Sequence, residues 1–146
     1  MSDSYISRND ATEENVLVLP SDTRRIVEIE PFLTSIDCCR YLSKNRRFNM
    51  LIAVTEAVNN AITHAHKSDY SKNVSIRVRC LNEGMTVAVK DNGKGFPIAD
   101  VPDPRDGDNV LRTHGRGVFL IKELADEVDF SITPHGTTVT MFFSRS

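Results

Sequence analysis

The sequence predicts an α+β fold: a two-layer sandwich with a mixed, mostly antiparallel sheet and helices on one face. Three observations predict it. Two segments have helical periodicity early in the chain. Two later pairs of segments alternate apolar and polar residues around short turns. Strands that follow one another through short turns pair antiparallel, and helices grouped elsewhere must cover one face of the sheet.

Residues 1–14 are polar and are expected to form a loose tail, with residues 15–146 as a single domain. "NVLVLPSD" reads as a short strand stopped by Pro20. From Thr23 to about Leu42, Ile26, Ile29, Leu33, Ile36 and Cys39 recur at helical spacing, with Ser21 or Asp22 as a cap. Pro31 falls inside this pattern. It either kinks one long helix or begins a shorter one, and the kink is the preferred reading. A second helix is expected from about Arg47 to His66.

The period then changes from helical to alternating. "NVSIRVRCL" and "MTVAVKD" flank "NEG" and read as a hairpin. Residues 97–114 carry three prolines, four aspartates and one glycine, the composition of a long lid or binding loop. "GRGVFLIKELADEV" opens with glycines and turns helical, and "EVDFSITPHGTTVTMFF" reads as a second hairpin turning at Pro134–Gly136.

Composition narrows the function classes. The 146 residues fit one core, and a net charge of −2 argues against a binder of nucleic acid. No apolar run reaches the length of a membrane helix, and the N-terminus lacks the apolar stretch of a signal peptide, so a cytoplasmic location is expected. Cys38, Cys39 and Cys80 follow neither a disulfide nor a zinc spacing and read as reduced thiols.

Three local features carry chemistry. In "VTEAVNNAITHAH", Glu56 and Asn60 lie one helical turn apart on an otherwise apolar helix. A carboxylate and an amide oxygen on one face suit Mg²⁺, which takes one or two protein oxygens and completes its shell with phosphate and water. Glu56 could equally deprotonate an attacking hydroxyl or water. In "VKDNGKGF", Gly93 and Gly95 let the backbone approach a ligand closely. That run is not a P-loop, because Gly95 and Phe96 stand where Ser or Thr and a helix should follow the lysine. In "THGRGVF", Gly115 and Gly117 precede an apolar helix, whose free N–H groups form an anion site.

Together these segments resemble the motifs of the GHKL ATPase/kinase superfamily. "EAVNN" is similar to its N-box, "DNGKGF" to its first glycine box, "GRGVFL" to its second, and "GTTVTMFF" to its closing Gly-Thr strand. The likeness covers roughly residues 16–144. The short length, the N-terminal strand and helix, "TEAVNNAITHA" and "VPDP" in the lid resemble the anti-sigma factor serine/threonine kinases of bacteria.

That resemblance implies an ATP-dependent kinase that phosphorylates an anti-anti-sigma partner and sequesters a sigma factor, as a homodimer. It implies Glu56 as general base and Asn60 as the Mg²⁺ ligand. It implies Asp91 as acceptor of the adenine amino group, with Gly93 and Gly95 making room for the base. Gly115, Arg116 and Gly117 would meet the phosphates, and Thr137 would assist at the adenine. His64 matches a histidine frequent in the group and is read as structural; His66 is given no role. Two other readings stay open. One is a non-catalytic nucleotide-binding module that sequesters a partner; the other is a stand-alone ATP-binding domain of histidine-kinase type.

Overall fold

The computed structural model describes residues 4–7, 13–65, 72–91 and 119–145. The chain runs through strand β1 (Glu13–Pro20), a 3₁₀ turn (Thr23–Glu28), helix α1 (Ile29–Ser35), a second 3₁₀ turn (Asp37–Tyr41) and helix α2 (Lys44–Asn60). A π-helical turn (Ala61–Ala65) extends α2. Strands β2 (Asn73–Leu81), β3 (Gly84–Lys90), β4 (Glu127–Thr133) and β5 (Gly136–Ser144) follow, and residues 119–124 are helical ahead of β4.

The five strands form one sheet in the order β1-β2-β3-β5-β4, and every pairing among the described residues is antiparallel. The α+β sandwich read from the sequence is therefore the observed architecture. Alternation decides which face is inner. Val74, Ile76, Val78, Met85, Val87, Val89, Met141 and Phe143 all lie buried, while their neighbours along each strand point outward.

Helix α2 covers that inner face. Met50, Ala53, Val54, Ala57 and Val58 are its buried residues, and Ala61 and Ile62 continue the stripe. Its C-terminal half is rich in poor helix formers: Val54, Thr55, Val58, Asn59 and Asn60. Each costs up to about 0.7 kcal/mol relative to alanine. Burial of a valine, isoleucine or methionine side chain contributes about 1.5–3 kcal/mol. Packing on the sheet therefore outweighs propensity, and the small Ala53, Ala57 and Ala61 allow a close approach. At the other end, the Ser43 hydroxyl accepts the Arg46 N–H at 3.1 Å and caps the helix. That cap starts α2 at Lys44, three residues before the expected start at Arg47.

The region around Pro31 differs from the preferred reading. There is no long kinked helix. A 3₁₀ turn, the short α1 and a second 3₁₀ turn follow one another, with Pro31 in the first turn of α1. An N–H at that position has no partner inside the helix, so proline is tolerated there without a kink. The Asp22 carboxylate caps the first 3₁₀ turn by accepting the Arg24 N–H at 3.0 Å. The same carboxylate pairs with the Arg24 guanidinium, which holds it below the usual carboxylate range.

The cysteines also differ from expectation. Cys38 and Cys80 are joined in a disulfide, and only Cys39 remains a buried free thiol. Spacing could not reveal the pair, because the topology alone brings the second 3₁₀ turn against the end of β2.

Residues 4–7 lie across the far side of the sheet. The Tyr5 ring stacks on Phe142 with centroids 4.3 Å apart. The Ser4 hydroxyl and the Tyr5 N–H donate to the Glu127 carboxylate at 2.9 and 3.1 Å. Phe142, on the outward side of β5, is thereby buried.

Candidate functional site

Helix α2 packs against β3 and β5, the neighbouring strands whose ends carry Asp91 and Thr137. Glu56 and Asn60 both lie on α2, partly buried and one turn apart, as their spacing predicts. Asn60 is the last α-helical residue. The π-helical turn begins immediately after it, and such widened turns occur often at functional sites. The Ala61 N–H is shared between the carbonyls of Ala57 and Val58, and the Thr63 hydroxyl donates to the Asn59 carbonyl at 2.7 Å. These bonds hold the transition from α to π geometry in place.

Asp91 follows the last residue of β3, and Thr137 is the second residue of β5. Their pairing extends the β3–β5 ladder by one step. The Asp91 N–H donates to the Thr137 carbonyl at 3.0 Å, and the Thr137 N–H donates to Asp91 Oδ1 at 3.2 Å. Both residues are buried, at 6% and 4% exposure. A buried carboxylate needs such donors to remain in place. The Thr137 hydroxyl has no hydrogen-bond partner among the described residues. An unsatisfied hydroxyl costs about 1–3 kcal/mol when buried, so one beside a buried carboxylate suits a polar ligand or water.

The turn before Thr137 is built for this placement. Gly136 closes the β4–β5 hairpin after Pro134 and His135 with φ of +145°, a conformation that residues with a Cβ rarely adopt. The sequence reading named Thr137 but missed its N–H as the partner of the Asp91 carboxylate. The Gly-Thr pair opening a strand signals Thr137 itself and not this partner.

Gly93, Gly95, Gly115, Arg116, Gly117 and the 97–114 loop lie outside the described residues, as do His66 and the side chain of His64. Of the expected site residues, the structure thus describes Glu56 and Asn60 on the helix and Asp91 and Thr137 at the sheet. Among the described residues no helix is long and apolar enough to cross a membrane.

Comparison with known proteins agrees with this fold. A family model for the histidine kinase-like ATPase domain matches residues 19–143. The chain is similar to the serine-protein kinase RsbW of Bacillus licheniformis, 34% identical over 99 residues, which cover 64% of this chain and 61% of that protein. It is also similar to the serine-protein kinase RsbW of Staphylococcus aureus, 35% identical over 97 residues, with 62% and 60% covered. The matched region thus spans about six tenths of the length of these relatives. In fold, the chain resembles the RsbU and RsbW domains of a Mycobacterium tuberculosis protein, with a TM-score of 0.66 over 91% of this chain and 32% of that one, at 15% identity. It also resembles the blue-light activated histidine kinase EL346 of Erythrobacter litoralis, with a TM-score of 0.54 over 72% of this chain and 32% of that one, at 23% identity. The motifs that resemble the GHKL superfamily and its anti-sigma factor kinase group fall within the region matched by the family model, and the chain belongs to the histidine kinase-like ATPase domain family.

Proposed function

We propose that the protein is an ATP-dependent serine/threonine kinase of the anti-sigma factor group. It would phosphorylate an anti-anti-sigma partner and sequester a sigma factor, acting in the cytoplasm as a homodimer with residues 15–146 as its kinase domain. The observation that carries this reading is the buried Asp91–Thr137 pair, its Thr137 hydroxyl without a partner among the described residues, at the ends of the strands covered by the helix of Glu56 and Asn60. The similarity to proteins named serine-protein kinases supports the choice of acceptor.

On this reading Asp91 accepts a hydrogen bond from the adenine amino group, which distinguishes adenine from guanine, and Thr137 offers its hydroxyl beside it. Gly93 and Gly95 leave room for the base. Gly115, Arg116 and Gly117 meet the phosphates, mainly through backbone N–H groups. Asn60 offers a neutral oxygen suited to Mg²⁺ and adds no charge repulsion toward phosphate. Magnesium bound there would neutralise charge on the phosphate oxygens.

Glu56 takes the proton from the partner's serine or threonine hydroxyl. The new O–P bond forms at the γ-phosphorus while the bond to the β,γ-bridging oxygen breaks, and ADP leaves with that electron pair. Positioning and charge neutralisation provide most of the acceleration in such transfers. A cognate anti-anti-sigma protein incubated with γ-labelled ATP is expected to gain label on serine or threonine. With Glu56→Ala, transfer should fall about 100-fold or more while nucleotide affinity stays within a few fold. Equal labelling by wild type and Glu56→Ala would remove the base from this residue.

A further inference from the structure

The topology chooses between two adjacent cysteines. Cys38 and Cys39 both sit in the second 3₁₀ turn, and Cys80 is the penultimate residue of β2. The Cα atoms of Cys38 and Cys80 are 6.0 Å apart across 42 positions of sequence, and their sulfurs are bonded. That separation lies within the range a disulfide spans. Cys39 instead points into the core with Ile36 and Leu42. Burial pushes its thiol up, against the opposing influence of Arg47, so it is a weak nucleophile. Cys38 is partly exposed and is the accessible member of the pair, whereas Cys80 is buried. Cys80 Sγ lies 3.8 Å from Glu13 Oε2, and Glu13 is its register partner on β1.

We propose that Cys38 and Cys80 form a reversible redox staple, closed by small-molecule disulfides such as oxidised glutathione and opened by thiols. The Cys38 thiolate attacks one sulfur of the small disulfide, whose S–S bond breaks and releases one small thiolate. The Cys80 thiol passes its proton to the Glu13 carboxylate and attacks the Cys38 sulfur, expelling the second small thiolate. Two protein thiols are oxidised and one small disulfide is reduced to two thiols; Glu13 hands its proton on to solvent, and that proton and the one Cys38 lost on ionising end on the two small thiols.

The closed covalent loop contains all of α2, and with it Glu56 and Asn60. The bond ties the turn that feeds α2 to the strand beneath it. Closing so long a loop restricts the unfolded chain and stabilises the fold. This inference stands apart from the kinase reading, since the link and its effect on stability need no nucleotide.

The test treats the full chain with oxidised glutathione, alkylates it and digests it with trypsin. Peptide 26–40 joined to peptide 80–90 is expected in wild type and in Cys39→Ser. The melting temperature of both should fall by roughly 5–12 °C on adding a reductant. Cys38→Ser and Cys80→Ser should melt at one temperature with or without it. A Cys38–Cys39 linkage, glutathione retained on either cysteine, or a wild-type melting temperature indifferent to reductant would each overturn the staple.

Discussion

Single atoms decide the conformation at two glycines of the sheet. A Cβ added to Gly84 would lie 2.1 Å from the Phe143 carbonyl oxygen, which is backbone and has no rotamer to adopt. Gly84→Ala must therefore displace the β3–β5 pairing, where Gly84 stands opposite Ser144. The expected cost is about 2–4 kcal/mol, read as an earlier midpoint in urea unfolding. An unchanged midpoint would show that this end of the β3–β5 pairing is not held as described. The second glycine, Gly136, sets up Thr137 and the Asp91 carboxylate it binds. At this scale the sequence was informative about residue types and silent about partners. "DNGKGF" and "GTTVTMFF" pointed to Asp91 and Thr137 separately. The bond between Thr137 N–H and Asp91 Oδ1 depends on which strands become neighbours, and local pattern carries no such information.

Elements were legible wherever a period was strong and unbroken. The four strands β2 to β5 lie where alternation placed them, because one buried face fixes the side-chain phase of each strand, while β1 begins at Glu13, two residues inside the stretch expected as a loose tail. Helix α2 was equally visible through its apolar stripe. The stretch from Thr23 to Tyr41 was misread because its spacing suits a long helix, while 3₁₀ geometry up to Glu28 and the extended Ile36 divide it into short turns. The start of α2 was placed late because Ser43 acts as a cap outside the apolar pattern. Removing that hydroxyl tests its role. Ser43→Ala should cost about 1 kcal/mol. That corresponds to a drop of about 3–4 °C in melting temperature for a chain of this size. No drop would mean that the nearby contact of Arg46 with Asp126, which also accepts the Ser144 N–H at 2.8 Å, anchors the helix start without the cap.

For the whole molecule, the strand order β1-β2-β3-β5-β4 joins the separate motifs. It sets β3 beside β5, so Asp91 meets Thr137, and both strands lie under α2, the helix of Glu56 and Asn60. The same topology brings Cys38 to Cys80, a link that cysteine spacing gave no reason to expect. The central claim is that this arrangement holds a magnesium–adenine nucleotide. Titration calorimetry with ATP and ADP, each with and without Mg²⁺, on wild type and Asn60→Ala tests it most directly. Wild type should bind ATP in a magnesium-dependent manner, and that dependence should be lost in Asn60→Ala. Absence of nucleotide binding in the wild type would contradict the account and leave a scaffold that acts by binding a partner protein.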